Sequence, residues 1–358
     1  MVKNIQILRE GYDGKKCFVH ARCCFAPWAA VATAQYLDVT GCDVFSGIYM
    51  SGSNDEGKTW SPFEQQSELR SEPRSDGKRI VCCDGTPMYH KTTDTVLLMG
   101  HTASYQADGK SLDRTIPRQS FYSVLKKGDK EFSAPKFIKT PEILRDFGNG
   151  CGQSIELENG ELLIPGYYKD NKNNCVSAVI RCSFDGDNIE VLEAGNSLTV
   201  SAPRGLGEPS LVKHNGVYYI TLRNDVCAYV ARSEDGVNYH SLQPWCWDDG
   251  ELLPNYNTQQ HWMTLGDKLF LVYTRRYAQN DNVFRHRAPL FAAEVENMKV
   301  KRDTEFAILP QRGARLGNFG VTSRSENKAS IMAAEWMQPI GCEKYGSNNA
   351  IFLADIEI

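Results

Sequence analysis

The segment Gly152-Gln-Ser-Ile-Glu-Leu-Glu-Asn-Gly-Glu-Leu-Leu-Ile164 decides the fold class. Ser154-Ile-Glu-Leu157 is a short strand, Asn159-Gly160 a turn, and Glu161-Leu-Leu-Ile-Pro165 a second short apolar run. Asn and Gly tolerate the positive φ of a tight turn, so the segment goes out and back as a β-hairpin. The same grammar returns in Ser210-Leu-Val-Lys213, Asn215-Gly216 and Val217-Tyr-Tyr-Ile-Thr-Leu222. Thr93-Asp94 precedes Thr95-Val-Leu-Leu-Met99, and Gly266-Asp267 precedes Lys268-Leu-Phe-Leu-Val-Tyr273. Helical periodicity is nearly absent.

Hairpins of this kind begin near residues 20, 85, 153, 209, 261 and 319. Their spacing, mostly about 50–65 residues, is that of a β-propeller, in which each repeat is one blade. The expectation is an all-β chain, a six-bladed β-propeller of four-stranded blades, with residues 1–358 as a single domain. A pair of β-sandwiches is the competing architecture, but sandwiches do not repeat a hairpin at this interval.

A second repeat is Ser53-Asn-Asp55-Glu-Gly57-Lys-Thr59-Trp60, with weaker copies at Ser183-Phe-Asp185-Gly186 and Ser233-Glu-Asp235-Gly-Val-Asn-Tyr239. Its chemistry is that of a turn: Ser and Asp oxygens accept from nearby amides, Gly takes the positive φ, and the aromatic packs beneath. The expected place is between outer strands, in a structural role.

Composition narrows the function. Lys+Arg 40 against Asp+Glu 44 gives a net charge of −4, without the basic face of a phosphate-backbone binder. No apolar run approaches the roughly 18 residues of a membrane span. The opening Met1-Val-Lys-Asn-Ile-Gln-Ile-Leu-Arg-Glu10 has no secretory apolar stretch. The 12 cysteines contain no Cys-x-x-Cys and read as reduced, mostly buried thiols of a cytoplasmic protein. There is no His-Glu-x-x-His, no carboxylate-rich calcium loop and no phosphate-binding glycine loop. The expected site uses no metal and no cofactor, and the expected partner is an oligosaccharide or small glycoside, with no nucleic acid or membrane.

The Ser53–Trp60 motif resembles the Asp-box, or BNR repeat, of the sialidase (neuraminidase) superfamily, and the strand-turn-strand segments, Gly207-Glu-Pro-Ser-Leu-Val212 among them, are similar to that family's over most of the chain. The resemblance implies a hydrolase of acidic sugars, in which three arginines grip a carboxylate through their guanidinium forks. By residue, it points to Arg22 in Val19-His-Ala-Arg22-Cys-Cys, and to Arg223, which follows Glu208 by 15 positions. It also points to Arg287 in Arg287-Ala-Pro-Leu290, with Arg285 as a rival. Because Arg285 and Arg287 are two apart in a run that reads as strand, alternation past His286 lets only one face the axis. Glu335 stands where the family supports the first arginine, Asp43 where it keeps its acid/base aspartate, and Glu208 where a glutamate activates the nucleophile.

That nucleophile is a tyrosine in the family, and the matching position here is Phe319, which has no hydroxyl. Tyr256 and Tyr273 are the tyrosines in reach of the question. His101 and His261 are candidates to take over the chemistry, with Asp84 beside them and Gln259, Gln260, Tyr256, Phe319 and Glu335 as substrate-lining positions. Three readings stay open: a sialidase-like glycosidase, inverting in the absence of a tyrosine; a propeller lyase or hydrolase of uronate-containing oligosaccharides; and a non-catalytic carbohydrate-binding propeller.

Overall fold

The computed structural model describes residues 2–39, 43–71 and 73–358. Six antiparallel sheets stand around a common axis as a six-bladed β-propeller. The innermost strands are Lys16–Ala26, Arg79–His90, Ile155–Glu156, Gly207–His214, His261–Leu265 and Phe319–Ser325, one for each hairpin expected from the sequence. Blades 1 to 6 are numbered by these strands. Blade 5 shares its outer position between Lys299–Val300 and Phe306–Leu309. Blade 6 takes its outermost strand, Val2–Arg9, from the other end of the chain; it pairs with Ile351–Glu357 and closes the ring.

The core lies between blades. Apolar side chains from adjacent sheets meet in separate layers, such as Leu97, Leu162 and Ile180 between blades 2 and 3. Leu163, Leu211 and Ile220 do the same between blades 3 and 4, and Phe270, Leu290, Ile331 and Phe352 between blades 5 and 6. Among the described residues the cysteines are free thiols; Cys42 lies outside them. No described helix is long and apolar enough to cross a membrane.

The Ser53–Trp60 turn joins the third and fourth strands of blade 1. The Ser53 hydroxyl accepts from Gly57 N–H at 2.8 Å, and Asp55 accepts from Thr59 N–H at 2.9 Å and Thr59 Oγ at 2.6 Å. Hydrogen bonds from the Thr59 hydroxyl and amide bring the Asp55 pKa down to about 2. Ser233 and Asp235 repeat the arrangement in blade 4. These aspartates stay in turns between outer strands.

Three inner strands share one irregularity. The ladder steps from Val19 to Arg22 against Gln35 to Thr33, from Cys83 to Thr86 against His101 to Met99, and from Gly207 to Ser210 against Arg223 to Thr221. Each step holds one extra residue, a β-bulge, which bends the strand and re-aims a side chain. In all three the residue just after the last regular pair has positive φ: His20 at 54°, Asp84 at 55° and Glu208 at 46°. A non-glycine residue held in this region costs energy and concentrates at functional sites.

Candidate functional site

His20, Asp84 and Glu208 all line one cavity of about 1230 Å³ at the end of the axis. Arginines are densest on one side, while the other mixes Arg114, Arg118 and Arg145 with Asp113, Glu142 and Asp146. Blades 4 and 5, with the loop leading into blade 6, contribute Arg204, Arg223, Arg285, Arg287 and Arg315, while blades 1 to 3 contribute His20, Asp84, His101, Cys151 and Tyr167.

On the basic side, Glu208 and Arg223 form a buried ion pair. Arg223 also donates to Asn257 Oδ1 at 2.7 Å. Burial works to raise the Glu208 pKa, but Arg223, then Arg204 and Arg287, outweigh it and hold the carboxyl below its ordinary value. Arg287 donates through Nε to the Asn257 carbonyl at 3.1 Å. Among the described residues no carboxylate lies within 4.0 Å of it, although it is 4% exposed. Burial, and then the nearby Arg315 and Arg223, make its charge costly and push its pKa well down. A buried cation set among cations favours an anionic guest.

On the other side Asp84 is a hub. Cys151 Sγ donates to its Oδ1 at 3.0 Å, His20 Nδ1 lies 3.0 Å from the same oxygen, and His101 Nε2 lies 3.6 Å from Oδ2. Burial opposes ionisation, yet His20, His101 and Arg22 together hold the Asp84 carboxyl far below the ordinary carboxylate range. His101 Nδ1 accepts from Gly150 N–H at 3.1 Å, which puts the proton on Nε2, facing Asp84. Burial brings the His101 pKa down to about 4, against the pull of Asp84. Donor atoms of Cys83, Asp84 and His101 lie within 4.8 Å of one another. The proton on His101 Nε2 occupies the atom that would have to face a cation, so the arrangement fits a hydrogen-bonded carboxylate better than a metal.

The cavity thus gathers Asp43, Asp84, His101, Glu208, Arg223, Arg285 and Arg287 from the residues expected in the site. Arg22, Gln259, Gln260, His261, Tyr256, Phe319 and Glu335 are not among its lining residues. Arg22 is 1% exposed and donates to the carbonyls of Phe319 at 3.2 Å and Gly85 at 3.1 Å, and to Gln259 Oε1 at 3.4 Å. Glu335 was expected beside Arg22; it pairs instead with Arg312 at 3.0 Å and accepts from the amides of Asn348 and Ala350. His261 is engaged at both nitrogens, by Ser210 at 2.7 Å and Gln259 at 3.1 Å, and burial takes its pKa to about 3. Gln260 bonds Thr258 and Thr221, Tyr256 bonds His286, and Phe319 packs on His261.

Two further expectations need correction. Arg285 and Arg287 both line the cavity, because residues 284–286 form a turn with positive φ at Arg285 and His286, so strand alternation does not apply. The tyrosine of the cavity also comes from an unexpected place, the second strand of blade 3. Tyr167 lies under the Arg118 guanidinium at 4.2 Å and 6.3 Å from the His101 ring. Its hydroxyl is held protonated, by burial first, with Arg118 opposing and Glu208 adding. Sequence reasoning missed His20, Cys151, Tyr167, Arg204 and Arg315.

Neither a family model nor a curated protein matches the sequence. Solved structures do match the fold. A protein of unknown function from Dyadobacter fermentans superposes with a TM-score of 0.71 at 15% identity, covering 100% of this chain and 99% of its own. The Trypanosoma rangeli sialidase and a Hadza microbial sialidase each give a TM-score of 0.65, at 15% and 12% identity, over 96% of this chain. The leech intramolecular trans-sialidase matches over 100% of this chain, also at 0.65 and 12%. The chain spans 55% of the trypanosomal enzyme and 66% of the Hadza one. The fold is that of a sialidase-like propeller.

Proposed function

We propose that the chain is a glycoside hydrolase acting on a terminal acidic sugar, with Arg223 and Arg287 as the carboxylate grip and Asp43 as the proton donor to the leaving oxygen. One observation carries the reading. Arg287 is buried at the cavity wall beside Arg223, with no carboxylate of its own among the described residues. A sugar carboxylate supplies the missing charge and accepts from a guanidinium fork.

With phenylalanine at 319 buried away from the cavity and the hydroxyl of the cavity's Tyr167 held protonated by burial, hydrolysis by an activated water is favoured over a tyrosyl-enzyme intermediate. The test is a screen of sialosides and uronides with the anomeric configuration of the first-formed product followed by NMR. Inversion is expected, and retention would contradict it. R287M is expected to lower kcat/KM for the acidic glycoside by about two orders of magnitude, the scale of a lost buried charge contact. Turnover unchanged in R287M would sink the carboxylate assignment. A second reading, elimination on a uronate, is favoured by the protonated Tyr167 next to His101. It gives an unsaturated product with a new ultraviolet absorbance, which hydrolysis does not.

A further inference from the structure

Three histidines stand near the axis, and their nitrogens are used differently. His261 is bonded at both ends, and His101 accepts at Nδ1 and faces Asp84 with Nε2. His20 differs from both in that, among the described residues, neither of its nitrogens makes an aligned hydrogen bond. Its Nδ1 lies 3.0 Å from Asp84 Oδ1 but is not aligned for a full hydrogen bond, and among the described residues nothing bonds its Nε2. The ring lines the cavity, is 3% exposed, and is held between Phe45 at 5.0 Å and Trp336 at 5.9 Å.

A ring in that setting has one orientation and one anchor. The carboxylate behind it is fixed in turn: Cys151 Sγ donates to Asp84 Oδ1 at 3.0 Å and Arg22 NH2 lies 3.7 Å from it. An imidazole with one nitrogen turned to a buried carboxylate and the other open to a substrate cavity is the arrangement of a general base. Slack alignment between base and orienting carboxylate is ordinary in an unliganded site and tightens with substrate.

We propose that His20, oriented by Asp84, is the general base of the cavity, and that Arg22 is a positioning residue that acts through Asp84. The proposal rests on the reading of the cavity as a hydrolytic site for an acidic glycoside. In the step, the attacking water gives a proton to His20 Nε2 as its oxygen bonds the anomeric carbon. The glycosidic C–O bond breaks, and the departing oxygen takes a proton from Asp43. His20 is left as imidazolium facing the Asp84 carboxylate, and both groups then exchange protons with solvent, so one water is consumed. The charged and titratable groups facing the imidazole are Asp84 and, around that carboxylate, Arg22 and the neutral His101; Trp336 brings Arg315, stacked on it at 3.9 Å.

The experiment compares the wild type with H20Q, D84N and R22M on 4-methylumbelliferyl glycosides of sialic and glucuronic acid across pH. H20Q is expected to lose about 10²- to 10⁴-fold in kcat with KM little changed, and to lose the acidic limb of the kcat profile. D84N is expected to shift that limb to lower pH, because it removes the negative charge facing the imidazole, and R22M to shift it to higher pH, because it removes the positive charge behind that carboxylate. H20Q with kcat within threefold of wild type overturns the proposal. A second measurement needs neither turnover nor a folded variant: the nitrogen tautomer of His20 in ¹⁵N-histidine-labelled wild type. A proton on Nδ1 with a bare Nε2 supports the base; a proton on Nε2 of the neutral ring overturns it. If the wild type neither binds nor cleaves either glycoside, the hydrolase reading fails by itself, and the tautomer still decides whether His20 is built as a base.

Discussion

Glu208 shows how one residue ties stability to the site. It is 9% exposed, held at positive φ, and paired with Arg223. Its pKa is depressed in the folded chain, with Arg223 the leading charge that overcomes burial. A depressed carboxyl stabilises the fold fully above its unfolded pKa, about 4.3, and that contribution disappears as pH falls through the folded value. E208Q removes the charge and leaves Arg223 buried without it, a change that costs about 3–5 kcal/mol when a buried pair is broken. We therefore expect E208Q to unfold at markedly lower urea concentration at pH 7 and to approach the wild type on acidification below about pH 4. A gap that persists undiminished at pH 3 would show that the pair is not its source. Gly150 is a second such position. A Cβ there would lie 2.4 Å from His101 Nδ1 and 2.7 Å from Asp84 Cβ. G150A is expected to displace His101 and lower the melting temperature by several degrees, the response to overpacking a tight site; an unchanged melting curve would show that the loop simply moves aside.

At the scale of the element, what the sequence revealed and what it hid have one cause. Turns such as Asn159-Gly160 and Asn215-Gly216 announce themselves because their chemistry is local: Gly160 and Gly216 have φ of 81° and 80°, and Asn215 has 49°. Four hairpins were readable on that basis, and the repeat interval placed the other two. The Glu208–Arg223 pair was readable too, since Gly207 and Arg223 face each other across a hairpin. The bulges were not. In a regular strand His20 and Arg22 would share a face, and the extra residue between Val19 and Arg22 separates them, sending His20 to the cavity and Arg22 beneath it. Tyr167 was hidden for another reason, because it belongs to a second strand, and nothing local says that such a residue reaches the axis. The outer turns make their own prediction. Ser233 is fully buried, accepts from Gly236 N–H at 2.9 Å and donates to Asp235 Oδ1 at 2.8 Å. S233A leaves a buried amide without its acceptor, a loss of about 1–3 kcal/mol. Because this turn lies between outer strands, urea unfolding should register that loss while turnover stays as in the wild type. A fall in kcat would move the turn out of its structural role.

For the whole molecule the decisive joint is where the ring closes. Val2–Arg9 pairs with Ile351–Glu357, so residues from the two ends of the chain complete one blade. A hydrophobic layer with Phe18, Ala32, Met332 and Leu353 joins blade 6 to blade 1 as others join the remaining blades, and here one buried polar side chain adds a knot of hydrogen bonds across the joint. Asn349, fully buried, accepts from Phe18 N–H at 2.8 Å and Arg9 NH1 at 2.8 Å, and donates to the carbonyls of Phe18 at 2.9 Å and Glu335 at 2.8 Å. It does so at φ 51°, which asparagine accepts more readily than alanine. N349A strips four partners at once, several of them buried, and adds backbone strain. The expected cost is about 3–5 kcal/mol, with N349G milder by about 1 kcal/mol because glycine carries no penalty at that φ. The loss should also have an address. Amide hydrogen exchange is expected to quicken first in Val2–Arg9 and in the start of Lys16–Ala26, while Ile155–Glu156 and its neighbours across the ring keep their protection. The strand Lys16–Ala26 itself carries the bulge that presents His20, so an opened closure would also loosen the Asp84–His20 contact and lower turnover together with stability. Uniform acceleration around all six blades would mean that the ring yields as one cooperative unit and that Asn349 is no special fastener.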